Sequence, residues 1–223
     1  MVRNIKKGGA EVTIRPARGT RDPHAAIARE LAARHPRLAR LVAVAHPIRD
    51  RVPDPRPLSE LAVSTVISQL VSTAAARTIQ ARLLESHGSV NGIVAWAMGQ
   101  PEDAPPSHGL SRAKRRAIAG WGRFVATHGD PRERWQGLEA EALLQEIQQL
   151  RGFGRWSAEM FAIFGFGHPR IWPEGDAGVQ RVIRELFPRM KAPGVRRLIA
   201  GHETHVALCC WTVLDGGRLT ELR

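Results

Sequence analysis

The amino-acid sequence predicts an all-α protein. Apolar residues recur at helical spacing nearly throughout the chain. Serine, aspartate or proline stands at many of the helix starts, with glycine near several ends. No alternating strand run and no internal repeat competes with that reading.

Asp22-Pro23 opens the first helix with a cap and a first-turn proline, and Ile27, Leu31 and Ala32 share one face. A second helical run, Leu38–Ala45, continues after Pro36. The segment 47–57 is rich in proline and arginine and reads as a crossing loop. Helices are then expected over Ser59–Leu70, Ser72–Glu85, Asn91–Met98, Ser111–Thr127 and Glu139–Gln149. A glycine turn follows, and after it Arg155–Gly165, Gly178–Leu186, Pro193–Ala200 and Glu203–Leu214. Gly99, Gly129, Gly165 and Gly201 stand near helix ends.

A chain of 223 residues makes one compact unit or two small lobes. Lys+Arg 33 against Asp+Glu 21 gives a net charge of +12 and a pI near 11.3. That surplus favours a polyanionic partner, nucleic acid first. Lysine occurs only as Lys6, Lys7, Lys114 and Lys191, so codon bias inflates arginine. It does not explain the net excess of positive charge. Residues 1–21, with Arg3, Lys6, Lys7, Arg15 and Arg18, read as a flexible basic tail, either touching a nucleic-acid backbone or simply frayed. Cys209 and Cys210 are adjacent, lack metal-ligand spacing and sit in the apolar run Val206–Leu214, as packing residues would. No secretory segment or apolar run of membrane-spanning length appears, so a cytoplasmic bacterial protein with no membrane partner is expected.

The most informative stretch is Leu150 to Asp176. Gly152-Phe153-Gly154 is a tight turn between two helices, and such turns bring backbone N–H groups out to one side. At a helix start these groups suit an anion, and in a basic protein a nucleic-acid phosphate fits. Asp176 then sets a negative charge at a fixed distance from the turn. It also fits as the cap of the helix that follows it, and the two roles are compatible.

Leu150-Arg151-Gly152-Phe153-Gly154-Arg155-Trp156-Ser157-Ala158 resembles the hairpin of the helix-hairpin-helix DNA glycosylases, Leu-Pro-Gly-hydrophobic-Gly-x-x-Thr-Ala. Pro173 to Asp176 is similar to the end of that signature, which closes on the catalytic aspartate. Arg151 replaces the usual proline and Ser157 the usual threonine. Strand-cleaving members carry a lysine where this chain has Trp156, which places the resemblance with the monofunctional branch, nearest to the 3-methyladenine DNA glycosylase II type. Ile67-Ser68-Gln69-Leu70-Val71-Ser72 is similar to a second family run, Ile-Gly-Gln-Gln-hydrophobic-Ser. There the turn delivers a wedge into the duplex, which implies Leu70, beside Gln69, as intercalating residues; the other reading of Leu70 is a core leucine. Gly109-Leu110-Ser111-Arg112-Ala113-Lys114 is similar to a third, with Lys114, Arg115 and Arg116 read as a solvated face rather than a backbone contact.

The resemblance runs from about His35 to Leu214 and implies two helical lobes with a DNA-binding groove between them. Residues 58–175 would form a helical barrel with the hairpin at 150–155, and residues 22–57 plus 176–223 the second lobe. It implies excision of alkylated bases of the 3-methyladenine and 7-methylguanine type from double-stranded DNA by a monomer, with no catalytic metal or cofactor. Asp176 would be catalytic. Gly152, Phe153, Gly154 and Arg155 would bind DNA phosphate, with a structural monovalent cation at the hairpin carbonyls. Trp156 and Met160 would line the base pocket, and Trp172 or Trp211 would close it. Two rivals stay open: a glycosylase of the same fold for mismatched or deaminated bases, and a non-enzymatic helix-hairpin-helix DNA-binding protein.

Overall fold

The computed structural model describes residues 23–48 and 52–223, so the basic tail 1–21 lies outside the described residues. Apart from an isolated bridge between Ser107 and Leu110, the regular structure among them is helical. Two helices precede the proline-rich crossing: α1 (Pro23–Arg34) and α2 (Pro36–Ala45). The next run is α3 (Leu58–Ser68), α4 (Thr73–His87), α5 (Val90–Gly99) and α6 (Arg112–His128). Then come α7 (Arg132–Gln136), α8 (Ala140–Gln148) and α9 (Arg155–Met160). A π-helical turn, Phe161–Gly165, extends α9. The chain closes with α10 (Ala177–Leu186), α11 (Ala192–Ile199), α12 (Glu203–Asp215) and the short 3₁₀ turn Leu219–Leu222.

Serine hydroxyls set three of the starts. Ser72, Ser89 and Ser111 accept from the N–H groups of Ala75, Gly92 and Lys114 at 3.2, 3.0 and 3.3 Å. Two departures from the sequence reading matter for the site. Helix α3 ends at Ser68 rather than Leu70, and Leu70 adopts a left-handed φ of 55°. Lys114 and Arg115 are not a solvated face. Arg115 is buried and donates to the carbonyls of Glu102 and Ala104, while Lys114 Nζ donates to the carbonyl of Ile67 at 2.9 Å.

Apolar burial divides between two cores. One gathers Leu61, Val66, Ile67, Trp121, Trp135, Phe153 and Phe161 from the elements between residues 58 and 171. The other gathers Leu38, Leu41, Val179, Val182, Leu186, Val206, Cys210 and Val213 from α1, α2 and the helices after Asp176. Both cysteines are free and buried, and burial pushes the Cys209 thiol up to about 12, as a packing residue requires. Ile48 and Trp211 pack against both cores, which marks the junction of the two lobes.

Candidate functional site

Asp176 sits at that junction, where the chain passes from one core to the other. It is the N-cap of α10, with Oδ1 accepting from the Val179 N–H at 2.8 Å. The same oxygen accepts from Trp211 Nε1 at 3.0 Å, and Oδ2 accepts from Trp156 Nε1 at 2.8 Å. The capping role and a role facing a ligand are therefore served by one rigid placement. Trp156 comes from the first turn of α9 and Trp211 from α12, so the two lobes each contribute a donor. A helix N-terminus adds a favourable field for negative charge. Space beside the carboxylate is tight: a Cβ on Gly178 would lie 3.1 Å from Asp176 Oδ1 and 3.0 Å from Leu214, so both would have to give by a few tenths of an ångström.

Beside Trp156 opens a cleft of ≈ 530 Å³. Trp156, Met160 and Phe164 form its aromatic and thioether wall. Leu61, Ser64, Thr65 and Ser68 of α3 face it with three hydroxyls, and Asp54 and Arg56 line its remaining side. Trp211 stacks at a tilt of 31° on Phe164, with centroids 5.6 Å apart. Trp172 is elsewhere: it is buried in the second core, and of the two candidates Trp211 is the one at the site.

The sequence reading did not find Phe164, Asp54, Arg56 or the hydroxyl row. A signal was present for the row, because positions 61, 64, 65 and 68 follow helical spacing and put serine and threonine on one stripe of a helix whose other positions from 61 onward are apolar.

The hairpin has the local geometry that its glycines imply. Gly152 has φ +84°, and a Cβ there would come within 2.4 Å of the Ala117 side chain. Gly152 and Gly154 are exposed, and among the described residues their N–H groups donate to no backbone carbonyl. Phe153 does not share that availability. Its N–H closes the turn onto the Leu150 carbonyl at 3.0 Å and its ring is buried in the first core. Arg155 is already paired, with Glu159 at 2.9 Å and Glu141 at 3.1 Å, so its charge is engaged within the protein. Burial raises the Glu159 carboxyl, which makes that internal pairing the more needed.

Leu70 is fully exposed, which excludes the core reading. A non-glycine residue in the left-handed region costs roughly 1–3 kcal/mol, so the turn holds this side chain outward against its own preference. Gln69 is not free beside it. Its amide Nε2 donates to the Gly152 carbonyl and to Ser157 Oγ, both at 2.8 Å, and so ties this turn to the hairpin instead of pointing outward. Among the described residues no cluster of His, Cys, Asp or Glu is placed to hold a metal ion, and no helix is long and apolar enough to cross a membrane.

No protein-family model matches the chain. It is 27% identical over 181 residues to the probable bifunctional transcriptional activator/DNA repair enzyme AlkA of Mycobacterium tuberculosis, covering 74% of this chain but 35% of that protein. It is 24% identical over 129 residues to the putative DNA-3-methyladenine glycosylase YfjP of Bacillus subtilis, covering 55% of this chain and 45% of that protein. The chain thus spans less than half the length of these curated relatives. Among solved structures, the 3-methyladenine DNA glycosylase Mag1 of Schizosaccharomyces pombe, in complex with abasic DNA, superposes with a TM-score of 0.72 at 20% identity, covering 87% of this chain and 97% of that one. The DNA-3-methyladenine glycosidase of Bacillus halodurans gives 0.62 at 23% identity, over 91% and 93%. The fold is the helical fold of those structures, and the resemblance carried by the hairpin is to the same group of proteins.

Proposed function

We propose that the protein is a monofunctional DNA glycosylase that flips an alkylated base of the 3-methyladenine or 7-methylguanine type out of double-stranded DNA and hydrolyses its glycosidic bond, leaving an abasic site. The observation that carries this reading is the Asp176 carboxylate, fixed by two indole N–H groups and a helix N-terminus beside an aromatic cleft. Alkylation at these ring nitrogens makes the purine cationic and weakens its glycosidic bond. An aromatic face prefers a cation to a neutral base by roughly 0.5–2 kcal/mol. Asp176 would stabilise the positive charge that develops on the sugar and orient the attacking water. Leu70 would fill the gap that the flipped base leaves, and the free N–H groups of Gly152 and Gly154 would hold a phosphate. The neighbouring Mag1 structure, bound to abasic DNA, supports DNA as the partner.

The resemblance also implies a monovalent cation at the hairpin. The carbonyls of Leu150 and Gly152 each already accept one hydrogen bond, which leaves one lone pair apiece for such an ion. It would brace the turn, and no chemical step passes through it. We take the protein to act as a cytoplasmic monomer, which sizing of the free protein and of its DNA complex checks for the oligomeric state.

Incubation with methylated DNA and identification of the released bases tests the reading. Release of 3-methyladenine or 7-methylguanine, with abasic products that break only in alkali, is expected. Trp156 stands where strand-cleaving members of the family resembled carry the Schiff-base lysine and offers no amine, so borohydride should trap no covalent DNA adduct. An efficient trapped complex would overturn the monofunctional assignment. Release of deaminated or mismatched bases alone would move the protein to that substrate class, and tight abasic-site binding with no base release would leave a binding protein.

A further inference from the structure

The exposed Leu70 and the hairpin lie 82 positions apart in the chain, yet one side chain joins them. Gln69 precedes Leu70 directly, and its Nε2 is shared between the Gly152 carbonyl and Ser157 Oγ at 2.8 Å each. Gly152 is the left-handed residue of the hairpin, and Ser157 is a buried residue in the first turns of α9. On its other side the turn is tied as well. Lys114 Nζ, on α6, donates to the carbonyl of Ile67 at 2.9 Å, close to the C-terminal end of α3, where a cation meets a favourable helix field. Ser72 caps α4 immediately after the turn. Leu70 therefore stands on a segment held at both flanks, although its own side chain touches nothing.

A wedge is useful only at one height above the phosphate grip. Placed an ångström too high or too low it misses the gap in the stack, and small misplacements of this kind are costly. A loop free to move would have to be ordered on binding, at an entropic cost to affinity. The amide of Gln69 meets both needs. It fixes the height of Leu70 against Gly152, and it does so before DNA arrives.

We infer that Gln69 is a positioning residue that couples the Leu70 wedge to the phosphate-binding hairpin, so that gripping the backbone and probing the base stack are one rigid operation. The inference rests on the glycosylase reading. Gln69 acts through Leu70 and touches no reacting atom.

A double-mutant cycle on the full chain tests it. Affinities for a duplex with a tetrahydrofuran abasic-site analogue and for the matching undamaged duplex are measured for wild type, Gln69→Ala, Leu70→Ala and the double variant, at one stated salt concentration. Gln69→Ala and Leu70→Ala should each lose about tenfold of the preference for the abasic duplex, and the double variant should lose no more than Leu70→Ala alone. Ser157→Ala, which removes one of the two acceptors and keeps the other, should give a smaller loss of the same kind and covers the case of a poorly folding Gln69→Ala. Losses that multiply in the double variant would overturn the coupling, as would a Gln69→Ala protein with a lowered melting temperature and an unchanged preference. Wild-type protein with no preference for the abasic duplex would defeat the glycosylase reading itself, and the coupling with it.

Discussion

Asp54 lines the Trp156 cleft and Asp176 accepts a hydrogen bond from Trp156 behind it, and the protein holds the two aspartates in opposite ways. Asp54 lines the wall and is clasped by Arg56, whose Nε and Nη2 donate to it at 2.6–3.1 Å and whose backbone N–H is a third donor at 3.0 Å. Those side-chain hydrogen bonds, ahead of the opposing desolvation, hold its carboxyl below the usual range. Asp176 is bonded to neutral donors only, two indoles and a backbone N–H, and among the described residues no lysine or arginine makes an ion pair with it. Both carboxylates are fixed in direction. Only Asp54 has its charge cancelled by a neighbour. Neutral donors orient a carboxylate without spending its charge, which is the condition for acting on a cationic sugar.

Neutralising each acid in turn should separate the two most strongly. Asp176→Asn keeps the size and most of the capping ability, so the fold should survive. Base excision should fall by roughly 10²–10³, the scale of a preorganised electrostatic contribution, while binding to an abasic analogue changes little. Asp54→Asn should leave excision within a few-fold of wild type. Single-turnover release of methylated bases measures both. Near-normal excision by a folded Asp176→Asn protein would leave that residue a helix cap, and a loss at Asp54 equal to that at Asp176 would erase the distinction.

The indole donors give a smaller effect. Trp156→Phe and Trp211→Phe each keep an aromatic ring and delete one hydrogen bond to the carboxylate. Bonds to a charged group are worth about 1.5–3 kcal/mol, so each variant should lower excision by roughly 10- to 150-fold. Trp172→Phe is the control. It lies in the second core and should lower the melting temperature with unchanged activity per folded molecule. Excision that tracks Trp172 more closely than Trp211 would reverse the assignment of the aromatic residues.

The sequence carried the helices and the two turns because their causes are local. Caps at Ser72, Ser89, Ser111 and Asp176, and glycine at the hairpin, act within a few residues of where they stand. Helix α7 was missed because five residues between Pro131 and Gly137 are too few to express a period. The site's finer structure depends on contacts that no local pattern records. Trp172 and Trp211 look alike in sequence, and only the packing of α12 against α10 decides which one meets Asp176. The sequence places Arg115 on a solvated face because nothing local shows that Glu102 and Ala104 bring their carbonyls to its guanidinium. The sequence pairs Gln69 with Leu70 as an intercalating residue, because the hairpin that accepts its amide lies more than eighty residues away.

The smallest effect concerns the stability that the Asp54–Arg56 pair supplies. The Arg56 side chain is about half exposed, and pairs of this kind are worth at most about 1 kcal/mol after solvent screening. Because the folded carboxyl is depressed from 3.8, the contribution is fully present above that ordinary value. It is lost as the pH falls through the lower folded value, where the protonated acid no longer accepts from a guanidinium in the same way. Asp54→Asn should therefore melt a few degrees below wild type at neutral pH, on the order of 2–4 °C for a chain of this size, and the gap should close in acid below the usual carboxylate range. Adding salt should narrow the neutral-pH gap, since an exposed pair is screened. Asp176→Asn should show a weaker salt dependence in its melting, because its partners are neutral donors and the partial charge of a helix N-terminus. A gap at Asp54 that persists in both acid and high salt would mean that its charge is not what Arg56 holds, and the contrast between the two acids would then rest on Asp176 alone.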